Sequence, residues 1–264
     1  MKSLTLFPAN GIHHDAYKPT LDSLLCDAKA INYPPLNHPS PLIPSPFAWD
    51  YFYNHFKHNL YESTIGMGHS LGATLLLYHA LKHPGQWKTI IIVEPALFSP
   101  FIRRIYRFIQ FFGLENHVHP MIQLTKRRRN TFESIDSIFR RWRYNPSFQN
   151  FSDESLMTFI EASVMKDASG YKLRFPKDWE IAIYRAMCSL DPFIWANLNQ
   201  LTSRLIVVGG ETSNTFLKGC RKRIKLYANE FITIPNTTHL LPFETPNALA
   251  SIINHELKSF SSNS

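Results

Sequence analysis

The stretch Ser63-Thr64-Ile65-Gly66-Met67-Gly68-His69-Ser70-Leu71-Gly72-Ala73 decides how this chain is read. An apolar run ends at Gly68, a serine follows two residues later, and an apolar helical pattern starts beyond it and continues to Lys82. A serine between a strand and a helix sits in a tight, strained turn that lifts its hydroxyl out of the sheet. The residues two positions away on either side must be small, because strand and helix crowd them. The amino end of the helix then lies beside a reacting carbonyl. Its unpaired N–H groups and dipole stabilise a developing oxyanion.

Outward from this turn, the chain reads as alternating strands and helices. Leu4-Thr5-Leu6-Phe7 is a short apolar run stopped by Pro8-Ala9-Asn10-Gly11. Asp15 to Lys29 reads as a helix with Leu21, Leu24 and Leu25 on one face, and residues 30–33 as a second strand. Six prolines within 34–46 predict an irregular surface loop, and Phe47 to Leu60 a helix. Thr89-Ile90-Ile91-Ile92-Val93, Leu205-Ile206-Val207-Val208 and Phe231-Ile232-Thr233-Ile234 are continuous runs, as expected of parallel strands buried on both faces. Thr245-Pro246 opens a last helix. Residues 98–199 show no strand pattern but repeated helical spacing, for example Ile135, Phe139 and Trp142. The expected division is therefore a core of 1–97 and 200–264 with a helical insertion at 98–199.

Bulk composition bounds the function. The 264 residues are 44% hydrophobic, enough for a sizeable core. No run of 18 apolar residues is present, so no integral membrane span is expected, and the amino-terminal stretch does not read as a signal peptide. Cys26, Cys188 and Cys220 lie far apart without C-x-x-C spacing, which fits free thiols in a reducing cytoplasm and no metal or redox site. The net charge is +8, and residues 98–199 hold +5 of it, densest at Lys126-Arg127-Arg128-Arg129 and Arg140-Arg141-x-Arg143. No nucleic-acid-binding motif accompanies that charge; it reads as a solvated face or a partner for an anionic substrate group. Nothing in the sequence speaks to oligomeric state.

Gly68-His69-Ser70-Leu71-Gly72 resembles the nucleophile elbow of the α/β-hydrolase superfamily. His83-Pro84-Gly85-Gln86-Trp87 is similar to the turn that precedes that family's next strand. His239-Leu240-Leu241-Pro242-Phe243-Glu244-Thr245-Pro246 is similar to its carboxyl-terminal histidine segment. Asn10-Gly11-Ile12 occupies the place of its H-G-x loop, and the family's first two strands have no counterpart here. The resemblance implies a mostly parallel sheet flanked by helices, with the insertion as a cap over the site. It implies Ser70 as nucleophile, His239 as base, and the backbone N–H groups of Leu71 and Ile12 as oxyanion hole. It implies no metal or organic cofactor.

The acid is open on sequence. After Gly210 the expected aspartate position is filled by Ser213 or Asn214. Glu94, at the end of the strand after the elbow helix, is preferred, with Glu211, Asp191 or no acid as alternatives. His69 is expected to orient the elbow, and His13-His14 to face the pocket. Phe98, Phe101, Phe108, Phe111, Phe112 and Trp142 are expected mostly to pack on the core, the rest lining an apolar acyl pocket. The expected activity is hydrolysis of an ester or other acyl substrate that is small and apolar. Carbon–carbon bond hydrolysis or acyl transfer is the alternative on the same residues, and a non-catalytic binding protein the alternative outside enzymes.

Overall fold

A computed structural model describes residues 3–33, 40–41, 48–57 and 63–259. Most of the proline-rich stretch 34–46, together with Phe47 and residues 58–60 of the helix expected there, lies outside these. The core begins with strand β1 (Ser3–Phe7), helix α1 (Lys18–Leu21), strand β2 (Asp27–Ala30) and helix α2 (Ala48–Phe56). Strand β3 (Ile65–His69), helix α3 (Leu71–Lys82) and strand β4 (Thr89–Val93) follow. The insertion contains α4 (Pro100–Phe111), α5 (Glu115–Val118), α6 (Pro120–Arg127), β5 (Thr131–Phe132), α7 (Ile135–Arg143), α8 (Asp153–Ser163), β6 (Val164–Asp167), β7 (Gly170–Leu173), α9 (Lys177–Arg185) and α10 (Asp191–Asn197). The chain returns to the core with β8 (Arg204–Gly210), α11 (Lys218–Ile224), β9 (Glu230–Ile234), α12 (Leu241–Glu244) and α13 (Pro246–Ser259).

Six strands form one parallel sheet in the order β2-β1-β3-β4-β8-β9. The uninterrupted β-branched runs explain the central position of β4 and β8, whose apolar side chains are buried on both faces. One apolar cluster, with Trp87, Trp179 and Phe216, covers one face; another, with Met67, Val208 and Phe243, covers the other. β2 and β9 form the two edges of this sheet.

Three expectations change. Asp15 to Lys29 is not one helix: a 3-10 turn at His14–Tyr17 leads into α1, which ends at Leu21, and Asp27–Ala30 is already strand β2. Hydrogen bonding to β1 and capture of the Leu25 amide by Asn254 of α13 override the Leu21/Leu24/Leu25 spacing, and Leu25 is left exposed. The second strand thus begins three residues earlier than the apolar pattern suggested, although Ile31 still donates to the Leu6 carbonyl at 2.9 Å. Residues 98–199 also hold a small antiparallel sheet, β5-β7-β6. Its strands are two to four residues long and mostly polar or half-buried, too short for a period of two to register.

The third change concerns the insertion's large apolar side chains. Trp142 stacks on Phe148 against the cluster that contains Met67 and Phe243, but Phe101, Phe108, Phe111 and Phe112 are exposed, at 70%, 64%, 83% and 55%. They neither pack on the core nor line an interior pocket. Of the basic residues, Arg128 is tied to buried Glu180 at 2.6 Å, and Arg143 donates to the carbonyls of Phe148, Gln149 and Phe151.

The elbow depends on two close approaches. A Cβ at Gly72 would run into the backbone carbonyls of Phe7 and Pro8, and one at Gly68 would meet the Ala73 and Gly72 backbone at 2.6 Å. These obstacles are backbone, not flexible side chains. Gly72→Ala is therefore expected to destabilise the fold by about 2–3 kcal/mol through overpacking, read as a lower urea midpoint at unchanged slope.

Candidate active site

β3 delivers Ser70 to the carboxyl edge of the sheet. Its amide still donates to Val93 of β4 at 3.0 Å, and its backbone then turns to φ 54°, ψ −117° as the first cap of α3. This is a conformation that L-residues rarely adopt, held by the sheet before it and the helix after it. The Ser70 carbonyl accepts from the amides of Thr74 and Ala96, which anchors the turn to α3 and to the segment after β4. As the first residue of α3, Leu71 has an N–H with no carbonyl partner inside the helix.

His239 follows β9 in the turn before α12. Its Nε2 lies 3.0 Å from Ser70 Oγ and its Nδ1 lies 3.1 Å from Glu94 Oε2. A carboxylate only accepts, so Nδ1 carries the proton and Nε2 is left to accept from the serine hydroxyl. Among the described residues, Glu94 is the carboxylate within ion-pair distance of His239.

Glu94 is fully buried, with φ 48°, immediately after β4. Its amide continues the sheet by donating to Val208 at 2.9 Å, and the tight turn then aims its side chain across the end of β8. Oε1 accepts the Gly210 amide at 2.8 Å and Arg221 Nη2 at 3.0 Å; Oε2 accepts Ser213 Oγ and faces His239. Arg221, on α11, is itself fixed by the carbonyls of Phe216 and Gly210, each at 2.7 Å. A buried carboxylate is tolerable only when so paired.

The other candidate carboxylates lie elsewhere. Glu211 is exposed and accepts the Asn236 amide at 3.0 Å. Asp191 is buried at the start of α10, where it accepts the Phe98 amide at 2.7 Å, and burial pushes its carboxyl up to about 7. Ser213 stands where the aspartate was expected and donates to Glu94 instead.

A second chain of hydrogen bonds runs beneath the site. The Ala9 amide donates to Tyr17 Oη at 3.0 Å, Tyr17 Oη lies 2.7 Å from His69 Nδ1, and His69 Nε2 lies 2.9 Å from the His239 carbonyl. Because that carbonyl only accepts, His69 donates from Nε2 and accepts the tyrosine proton at Nδ1. Burial, and then the neighbouring His239, hold His69 well below the usual histidine range, so it is neutral. It joins the loop 9–12, the elbow and the backbone of His239. Neither Tyr17 nor Arg221 carries any sequence signal of this role.

Ile12 donates to Ala9 O at 3.4 Å, a long bond within its own loop. That loop is braced from the insertion, where Asn10 Nδ2 donates to the Glu180 carbonyl at 3.4 Å. His13, His14 and Asp15 form the group compact enough to hold a metal among the described residues, their ligand atoms lying within 4.8 Å. The Arg174 guanidinium is 3.4 Å from both His13 Nε2 and Asp15 Oδ2 and already supplies the positive charge there. A cleft of about 410 Å3 near Arg204 opens at the amino end of β8, the opposite edge of the sheet from Ser70. Ligands of parallel α/β sheets bind at the carboxyl edge.

The structure is similar across nearly its whole length to solved hydrolases. The peroxisomal α/β-hydrolase Lpx1 of Saccharomyces cerevisiae superimposes with a TM-score of 0.75 at 18% identity, over 99% of this chain and 78% of that one. The chain has the α/β-hydrolase fold. An esterase from Mycobacterium tuberculosis matches the hydrolase fold with a TM-score of 0.70 at 14% identity, over 97% of this chain and 85% of its own. MenH from S. aureus matches at 0.69 and 14%, over 98% and 94%. No family model and no curated protein sequence matches the chain.

The buried histidines make stability depend on pH. Burial lowers His69, and brings His13 and His79 to about 4. The unfolded chain takes up these protons near pH 6.5 while the folded chain resists, so their contribution is complete above pH 6.5 and is lost as pH falls towards 4. Each such group removes about 1.4 kcal/mol per pH unit in that window. The thermal midpoint is expected to fall between pH 7 and pH 5, and the fall to be shallower in His79→Gln.

Proposed function

We propose that this protein is a serine hydrolase acting on an ester or other acyl substrate. The observation that carries this reading is the line of contacts from Ser70 Oγ to His239 Nε2 at 3.0 Å and from His239 Nδ1 to buried Glu94 at 3.1 Å. A hydroxyl, an imidazole of fixed tautomer and a carboxylate in that order form the apparatus of nucleophilic acyl transfer. The fold supports the reading, since proteins of the same fold include esterases and hydrolases.

In this mechanism His239 removes the Ser70 proton as the hydroxyl attacks the acyl carbonyl. Glu94 holds the imidazole in position and stabilises the imidazolium that forms. The Leu71 amide, at the amino end of α3, donates to the developing oxyanion. The Ile12 amide is the second donor, exchanging its long bond to Ala9 for the substrate oxygen. Protonated His239 then gives its proton to the leaving group, and water resolves the acyl-enzyme by the same path in reverse.

Residues 98–199 act as the cap of the site in this reading. Ile12 and Leu240, beside the oxyanion loop and the base, favour an apolar acyl group. A carboxylic ester or thioester of modest size is the preferred substrate.

A fluorophosphonate probe is expected to label the wild-type chain and not Ser70→Ala. Absence of labelling, or equal labelling of the variant, would return the protein to a binding role. On p-nitrophenyl esters of graded chain length, Glu94→Gln is expected to lower kcat/KM by about 10^3–10^4-fold, and Glu211→Gln to leave it within a few-fold. The reverse order of the two variants would reassign the acid.

A further inference from the structure

Among the described residues, the outer face of α4 is an unpartnered amphipathic surface. Phe101, Ile105, Phe108 and Phe112 fall at positions i, i+4, i+7 and i+11, one stripe along the helix. All four are exposed, Ile105 at 45%. The stripe cannot turn inwards, because the opposite face is locked. Tyr106 is buried and donates to the Tyr184 carbonyl at 2.8 Å, and Gln110 donates to the Arg185 carbonyl at 2.6 Å. The rings gather on the surface instead: Phe108 and Phe112 pack at 4.7 Å, and Phe111 and Phe112 at 5.1 Å. Soluble chains seldom leave so many phenylalanines together in water without a partner.

Charge selects the occupant. Between Pro100 and Arg129 the sequence has seven Lys and Arg against one acidic residue, Glu115. Arg104 and Arg107 are exposed beside the stripe and make no ion pair among the described residues. A symmetric contact with a second copy through this face would bring two strongly basic surfaces together, which like-charge repulsion opposes. No helix among the described residues is long and apolar enough to cross a membrane. An apolar stripe flanked by arginine on a helix too short to span is the pattern of an element that lies in a lipid interface, rings among the acyl chains and cations at anionic headgroups.

We propose that α4 docks this protein onto an anionic phospholipid surface. The inference rests on the exterior of the insertion and stands independently of the chemistry at Ser70.

Flotation of the full chain with vesicles tests it. Binding is expected to vesicles of phosphatidylcholine carrying about one-third phosphatidylserine, much weaker binding to phosphatidylcholine alone, and weakening at about 0.5 M salt. Phe101→Ser/Phe108→Ser is expected to lower partitioning onto anionic vesicles by at least about tenfold. Arg104→Gln/Arg107→Gln is expected to lower it by roughly tenfold on anionic vesicles only. Both pairs are exposed, and an unchanged circular dichroism melt confirms that each variant folds. Lack of flotation with anionic vesicles, or flotation that neither pair alters, overturns the proposal. So does an ultracentrifuge dimer of the lipid-free chain that Phe101→Ser/Phe108→Ser dissolves, which would make a second copy the occupant.

Discussion

Everything at the carboxyl edge of the sheet converges on one buried carboxylate. Glu94 ends β4, receives the last amide of β8, meets the guanidinium of α11 and holds the imidazole that follows β9. Taking such a charge out of water is expensive, and one partner would not compensate it. Four donors do, and they come from four different parts of the chain. The charge that orients His239 therefore also ties the ends of three strands and a helix together. The same contacts that satisfy the buried carboxylate also join the ends of neighbouring strands.

The second buried network complements the first. Glu94 holds the His239 side chain, and neutral His69 holds the His239 backbone. Through Tyr17, His69 reaches the loop that carries Ile12. Ser70, His239 and the loop 9–12 thus belong to one connected set of hydrogen bonds, with the strained turn at Ser70 at its centre. Strain of this kind persists only where the surroundings over-determine it. Here the glycines at 68 and 72 admit the backbone contacts, and sheet and helix hold the rest.

The insertion divides its residues between two tasks. Its inner side braces the loop 9–12: Glu180 binds Arg128, and its carbonyl accepts from Asn10 in that loop. Its outer side carries phenylalanines and arginines that make no ion pair among the described residues. Composition alone assigned those rings to the interior, because most large apolar side chains are buried. The periodicity of α4 is equally compatible with facing in or out, and only the packing of Tyr106 and Gln110 decides which.

Local chemistry made much of this molecule readable from sequence. The G-x-S-x-G turn between a strand and a helix, the uninterrupted β-branched runs and the Thr245-Pro246 helix start each report on a few adjacent residues, and the backbone geometry they demand is found. Glu94, His239 and Ser70 were candidates as residue types at the right ends of elements. Their meeting was not readable, since it depends on contacts spanning 145 and 169 positions. Tyr17 and Arg221 were invisible for the same reason: a side chain that supports another across the fold leaves no local pattern. The early unwinding of the first helix into β2 followed from pairing with β1, and the small sheet of the insertion was hidden because its strands are too short for a period of two to register. By itself the sequence determined the turn at Ser70, the long buried strands and the start of the last helix, because those are short-range steric and hydrophobic preferences. The tertiary structure alone decided which carboxylate faces His239 and which face of α4 meets water, because both are set by neighbours far away along the chain.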